Sequence, residues 1–282
     1  MDQSSSPTNR LSQKIFGLSI WLMNRLKFPR KFALISLLFA LPLALLMVLQ
    51  INQVNSEIDF AQKELAGTAY LRLARNLFQD TLQNQIEAQY FQNGKISAEE
   101  IVRVQARLAA DFTALETAEG RLNGALGTAK DFAILKSDWE KLKSQTLDQN
   151  DGSGVDLNSK LVADVRALMT AVANSANLIL DPQLDNHYLI SAVVLRLPEG
   201  LNIQADTLTL DIPTMAQQGS TAGLARTSTL IGLVQSNSSA TQNDLQATFG
   251  NTAVKTLQAT LDTPLKNSVS TASDFVNSVG RI

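Results

Sequence analysis

The sequence contains no cysteine and a single histidine, and both scarcities exclude whole classes of function. Without cysteine there can be no disulfide, no thiolate metal site and no cysteine nucleophile. The lone His187 cannot supply a histidine pair for zinc, and no nucleophile elbow accompanies it. Phosphate-binding loops and dinucleotide fingerprints are also missing. We therefore expect no catalytic residue, no metal site and no cofactor, and hence a protein that is not an enzyme.

Aromatic residues are scarce as well, at 6% of the chain, and much of the apolar content is alanine and leucine. No stretch alternates apolar and polar residues long enough to predict a β-strand. Apolar residues recur instead at intervals of three and four over most of the chain. The sequence therefore predicts an all-α protein.

Charge is distributed unevenly, although the formal net charge is only −2. The first 31 residues contain six basic residues and one acidic residue, which leaves 18 basic and 25 acidic residues for the remainder. An acidic surface repels nucleic acid, so we expect no nucleic-acid partner.

The run from Phe32 to Ile51 contains no charged residue. Twenty helical residues span about 30 Å, the thickness of the hydrocarbon core of a bilayer. The run is longer than the apolar region of a typical signal peptide, and no small-x-small cleavage site follows it. We therefore expect a transmembrane helix rather than a cleaved signal.

The basic flank before this run predicts a cytoplasmic amino terminus. We expect residues 1–30 to form a cytoplasmic tail with an amphipathic helix over Leu11–Phe28, and residues 31–51 to span the membrane. Residues 52–282 are then an extracytoplasmic domain. The expected location is the inner membrane of a cell, with the large domain in the periplasm or outside the cell.

After the membrane segment the helical period continues to about Phe91, and Asn93–Gly94 is a stop signal. Ser97 and Glu100 have the spacing of a capping box, so a second helix should begin there. Its heptad-like apolar columns predict one continuous helix to about Leu147.

A third helical arm begins near Asn158, is expected to break and restart at Asp181–Pro182, and ends by Gly219. The last arm covers Leu224–Val279, with a polar interruption at Ser236–Asn243. Four arms of this kind predict a long antiparallel helical bundle, with two stacked sub-bundles as a variant of the same architecture.

Two stretches resemble the sensory region of bacterial transmembrane chemoreceptors, the methyl-accepting chemotaxis proteins, and of related sensor kinases. The first is KFALISLLFALPLALLMVLQINQVNSEIDFAQKELAGTAYLR, in which the matching residues are Glu64, Gly67, Tyr70, Leu71 and Arg72. The second is ANSANLILDPQLDNHYLISAVVLRLPEGL, in which they are Asp181, Pro182, Leu184, Asp185, Tyr188, Leu189, Leu197 and Pro198.

This resemblance implies a ligand-sensing input module that passes helix displacement across the membrane. It also implies a homodimer, and a small anionic ligand or a periplasmic binding protein as partner. The family continues into a second membrane helix and cytoplasmic signalling domains, so we interpret this chain as a truncated receptor that ends before them, with a naturally short receptor as the alternative. The alternatives are the input module of a sensor histidine kinase or cyclase, and a membrane-anchored coiled-coil tether.

Counting heights along antiparallel helices suggests where a ligand could bind. The polar break of the third arm should lie level with the arginines of the first helix and with three glycines of the second, Gly120, Gly124 and Gly127. The alternative is a purely structural layer where two stacked sub-bundles meet and the helices kink. There Arg72 or Arg75 would only form an ion pair with Asp181 or Asp185. The candidate ligand-binding residues are Tyr70, Arg72, Arg75, Asp181, Asp185 and His187.

Overall fold

The computed structural model describes residues 27–145, 153–179, 183–210 and 221–280. Within these ranges the chain is helical and contains no strand, which confirms the all-α prediction. Two compact units are present, Met1–Asp59 and Phe60–Ile282.

Helix α1 spans Phe28–Gln92, and its first half belongs to the amino-terminal unit. Large apolar side chains there, such as Leu38 and Met47, are exposed, and none of its most apolar 18-residue window is buried within the chain. By length and composition this is a candidate membrane span. A signal sequence or a core helix meets the same criterion of length and composition.

The end of α1 and the start of α2 lie where the sequence predicts them. Gly94 follows α1 in a left-handed conformation with φ of 66°, which glycine adopts without steric cost. Helix α2 spans Ala98–Leu122. The Ser97 N–H donates to the Glu100 carboxylate at 2.9 Å, and the complete capping box is present.

The predicted continuous second helix to Leu147 is wrong, because the chain reverses after Leu122. Asn123, Gly124 and Gly127 all have positive φ, which an α-helix cannot contain. Helix α3 then spans Ala129–Gln145 and runs back along α2. Ring stacking of Phe112 on Trp139 and a Lys136–Glu116 ion pair join the two helices in opposite order.

Helix α4 spans Ser153–Ser175 and is followed by a turn in which Asn177 has a φ of 61°. The helix therefore ends several residues before Asp181–Pro182, and the predicted break at those two residues lies outside the described residues. Helix α5 (Leu184–Ile190) continues through a π-helical turn (Ser191–Arg196) into α6 (Leu197–Thr209).

The last two helices are α7, Thr221–Asn251, and α8, Lys255–Val279. The predicted single last arm is wrong, although the polar stretch Ser236–Asn243 does not end α7. Thr241 donates to the carbonyl of Asn237, and the Asn237 amide donates to the carbonyl of Arg196 in the π turn. The chain reverses instead at residues 252–254.

The main hydrophobic core of the larger unit is formed by α1, α2, α3 and α4 together, with contributions from the π turn and α6. Asn84 contacts Asn158 while Gly67 contacts Ala176, so α1 and α4 run in opposite directions. Two smaller clusters hold α7 and α8 against the π turn and α6, one around Ala192 and Leu265 and one around Val234 and Ala272. Fully buried side chains of the main core include Leu77, Phe78, Leu108, Leu115, Leu135, Trp139, Leu161 and Leu168.

Candidate ligand-binding cleft

A polar cleft of about 490 Å³ lies in the larger unit where α1, α4, α6 and α7 meet. Its volume is in the range of sites that take small molecules. The charged side chains that line it are Asp156, Arg166, Asp206 and Arg226, and the polar side chains include Gln85, Ser159 and Asn202.

Asp206 of α6 is the carboxylate at the centre of this group. Its Oδ1 accepts a hydrogen bond from Gln85 Nε2 at 3.1 Å, and its Oδ2 accepts one from Asn202 Nδ2 at 3.2 Å. Gln85 Nε2 also lies 3.3 Å from Ser159 Oγ. One amide of α1 is therefore bonded to both α4 and α6.

Burial raises the pKa of Asp206, because removal of water penalises the charged carboxylate. The hydrogen bond from Gln85 and the positive charges of Arg226 and Arg166 act in the opposite direction. The carboxylate is thus held in a partly desolvated site that depends on neighbouring donors and cations.

The two arginines of the cleft come from different helices, Arg166 from α4 and Arg226 from α7. Within the described ranges neither guanidinium forms an ion pair within 4.0 Å, although both act electrostatically on Asp206. A guanidinium presents a planar set of donors that suits carboxylate oxygens. The cleft therefore has donor capacity available for an anionic group.

Gln85 adds an acceptor to this environment. Its Oε1 is buried and has no hydrogen-bond partner among the described residues. Leaving such a group unpaired costs about 1–3 kcal/mol, so a ligand or water that donates to it would be favoured. The cleft can thus satisfy a small molecule that carries both acceptor and donor groups.

The cleft residues were not among those predicted from the sequence. Gln85 is only 4% exposed although it is polar, and it lies on the buried face of α1 beside Asn84. A polar pair on an otherwise apolar helical face was the available signal. Arg166, Asp206 and Arg226 are far apart in sequence, and only the packing of three helices brings them together.

Tyr70, a predicted site residue, has a structural role in this fold. It is 1% exposed, and its hydroxyl donates to the Glu119 carboxylate at 2.7 Å. The hydroxyl of Thr128 donates to the same carboxylate oxygen at 2.6 Å. Burial, and then the Glu119 carboxylate, raise the pKa of Tyr70. The cluster fastens the turn between α2 and α3 to α1.

The other predicted residues lie largely at the surface. Arg72 and Arg75 are exposed, and Arg75 donates to its neighbour Asn76 at 3.2 Å. Among the described residues no ion pair involves either arginine, whereas Asp181 lies outside them.

Asp185 and His187 lie on α5. The Asp185 carbonyl oxygen is 3.3 Å from the hydroxyl of Thr248, and His187 Nδ1 is 3.2 Å from the carbonyl oxygen of Ile179. The His187 ring meets the Tyr188 ring edge-on at 5.5 Å. Whether these residues and the arginines share a ligand stays a prediction.

Comparisons of the chain with protein-family models, with curated proteins and with solved structures found no match.

Proposed function

We propose that this chain is the ligand-sensing input module of a membrane receptor of the chemotaxis type, with the polar cleft as its ligand site. The observation that carries the proposal is that α1 lines this cleft through Gln85 and Gln89. The same helix contains the apolar run Phe32–Ile51. A ligand in the cleft would therefore act directly on the helix that we propose to cross the membrane.

In this proposal the apolar run is an uncleaved membrane anchor and the basic tail is cytoplasmic. The larger domain is an antiparallel helical bundle in the periplasm or outside the cell. The positive flank and the length of the apolar run support this topology. Two copies associate through the exposed face of α1, which includes Val54 and Ile58.

Signal transfer follows from the hydrogen bonds of Gln85. An anion held by Arg166 and Arg226 would compete with Asp206 for their positive charge, which would alter the bond between Asp206 and Gln85. Because Gln85 is bonded to both α4 and α6, its rearrangement changes the packing of α1. Small helix shifts of this kind are an established route for switching in helical proteins.

A membrane-anchored tether is the alternative function from a different class. A tether needs α1 and a stable bundle, but it gains nothing from two arginines beside a half-buried carboxylate that form no ion pair with any other described residue. The input module of a sensor kinase or cyclase shares every feature argued above and differs only in its output domain.

The test is anion binding by the full chain in detergent micelles. Succinate is the probe, glycerol is the uncharged control, and the thermal midpoint is the readout. We expect succinate at millimolar concentration to raise the midpoint of the wild type and to have a clearly smaller effect on Arg226→Ala. Arg103→Ala removes an exposed arginine outside the cleft and should behave as the wild type. Equal shifts for both variants, or no shift in the wild type, would contradict a carboxylate site in this cleft.

A further inference from the structure

A second group of charged side chains lies between α1 and α2, where the partly buried carboxyls of Asp80 and Asp111 are within hydrogen-bonding reach of each other. The Nε of Arg107 donates to Asp80 Oδ1 at 3.0 Å. Asp111 Oδ2 is buried and has no hydrogen-bond donor within reach among the described residues. Unpaired buried carboxylate oxygens are costly, so the pair requires a further explanation.

A shared proton supplies that explanation. Two ionised carboxylates are both acceptors and cannot bond to each other, whereas one proton turns Asp111 into a donor to Asp80. Burial, followed by the charge and the hydrogen bond of Asp80, raises the pKa of Asp111 to about 6, even though the positive charge of Arg107 lowers it. These are the charged groups that face Asp111, one from α1 and one from its own helix.

We infer that Asp80 and Asp111 form a proton-operated latch between α1 and α2, so that the chain senses pH in addition to any ligand. With the proton in place, the Asp111–Asp80 hydrogen bond ties the two helices together. Once the proton is lost the two carboxylates repel each other, and within this cluster the Arg107–Asp80 ion pair is the contact that remains. The latch does not involve any cleft residue, so an experiment can confirm or contradict it independently of the proposed ligand site.

The direction of the pH effect follows from the raised pKa. A carboxyl that holds its proton more tightly in the folded state stabilises that state at low pH, and the stabilisation is lost as pH rises. The loss occurs between the ordinary value of 3.8 and about 6. Within that window the unfolding equilibrium constant should rise by at most about tenfold per pH unit from this group.

Urea unfolding of the full chain in detergent at a series of pH values tests the latch. Asp111→Asn places a permanent donor opposite Asp80, so we expect the variant to lack the wild-type loss of stability between about pH 4 and 6. Asp274→Asn, an exposed change on α8, should retain that loss and serves as the control. Equal pH dependence in Asp111→Asn and the wild type would overturn the latch.

A second measurement does not depend on any variant folding. Carbon-13 spectra of the wild-type chain report the protonation of the Asp111 carboxyl directly. We expect its signal to titrate about two pH units above an ordinary aspartate. Titration at the ordinary value would overturn the proposal. Amide hydrogen exchange in α2, corrected for the intrinsic effect of pH, should also be slower at pH values below this titration. The reason is that the protonated latch holds α2 against α1.

Discussion

Gly67 of α1 lies against Ala176, the first residue after α4, so closely that a β-carbon at position 67 would overlap the Ala176 methyl group. The contact lies at the point where the chain turns from α4 towards α5. Glycine is therefore required here by the approach of two backbones, and not by a special backbone dihedral.

Gly67→Ala should destabilise the protein by about 1–3 kcal/mol, because the added methyl group must push the turn after α4 away from α1. Gly120→Ala is the matched control, since Gly120 lies within α2 and no other atom would come within 4 Å of its β-carbon. That change should stabilise the protein by about 0.5–1 kcal/mol. Urea unfolding measures both effects. A neutral Gly67→Ala would show that the close contact does not exist in solution.

Tyr70→Phe should lower the free energy of unfolding by about 1–3 kcal/mol, because the Glu119 carboxylate loses one of its two donors in a buried site. Tyr188→Phe is the control, since its hydroxyl takes no part in this cluster. Chemical denaturation gives the difference between them. Equal effects of the two substitutions would contradict a structural role for the Tyr70 hydroxyl.

Asp138 should contribute stability that acid removes. Hydrogen bonds from Lys141 and then Lys160 lower its pKa to about 2, although burial opposes them. A lowered pKa stabilises the folded state above the ordinary value of 3.8, and the contribution is lost as pH falls towards 2.

Asp138→Asn should therefore be less stable than the wild type at neutral pH, by about 1–2 kcal/mol, and the gap should close in acid. Glu140→Gln alters an exposed ion pair with Lys143 and should cost less than about 1 kcal/mol. Thermal unfolding at neutral and acidic pH distinguishes the two. A gap that persists unchanged in acid would mean that the ion pairs of Asp138 are not its source.

Local sequence signals predicted the fold best where one residue type has one conformational role. The Ser97–Glu100 capping box and the stop at Gly94 needed only neighbouring residues, and both are confirmed. The sequence does not predict the reversal after Leu122, because the apolar periodicity of α2 continues into α3. In the folded chain the apolar residues of α3 pack back against α2 and the main core. The sequence pattern predicts these glycines within a helix, whereas Gly124 and Gly127 supply the positive φ of a turn.

The cleft was beyond local prediction for a different reason. Gln85, Arg166, Asp206 and Arg226 lie on four helices, and their proximity depends on helix reversals that the sequence did not reveal. The predicted Arg72 and Arg75 instead lie on the exposed face of α1. Height counting along assumed arms fails when an arm folds back on itself.

The proposed topology predicts that the two ends of the apolar run lie on opposite sides of a membrane. Cysteines introduced one at a time as Ser5→Cys and Asn150→Cys give a clean readout, because the chain has no other thiol. On intact spheroplasts an impermeant reagent should label Asn150→Cys and leave Ser5→Cys unlabelled. The reverse pattern would invert the topology, and labelling of both would exclude a membrane span between them.

The proposed function requires that a ligand bound in the cleft changes the position or packing of α1. The most direct measurement is the rate of disulfide formation between copies carrying Val54→Cys, in full-length chains reconstituted into liposomes. We predict that succinate changes this rate by about fivefold or more, that Arg226→Ala abolishes the change, and that Arg103→Ala retains it. A rate that neither succinate nor Arg226→Ala alters would contradict the sensor account and favour a tether.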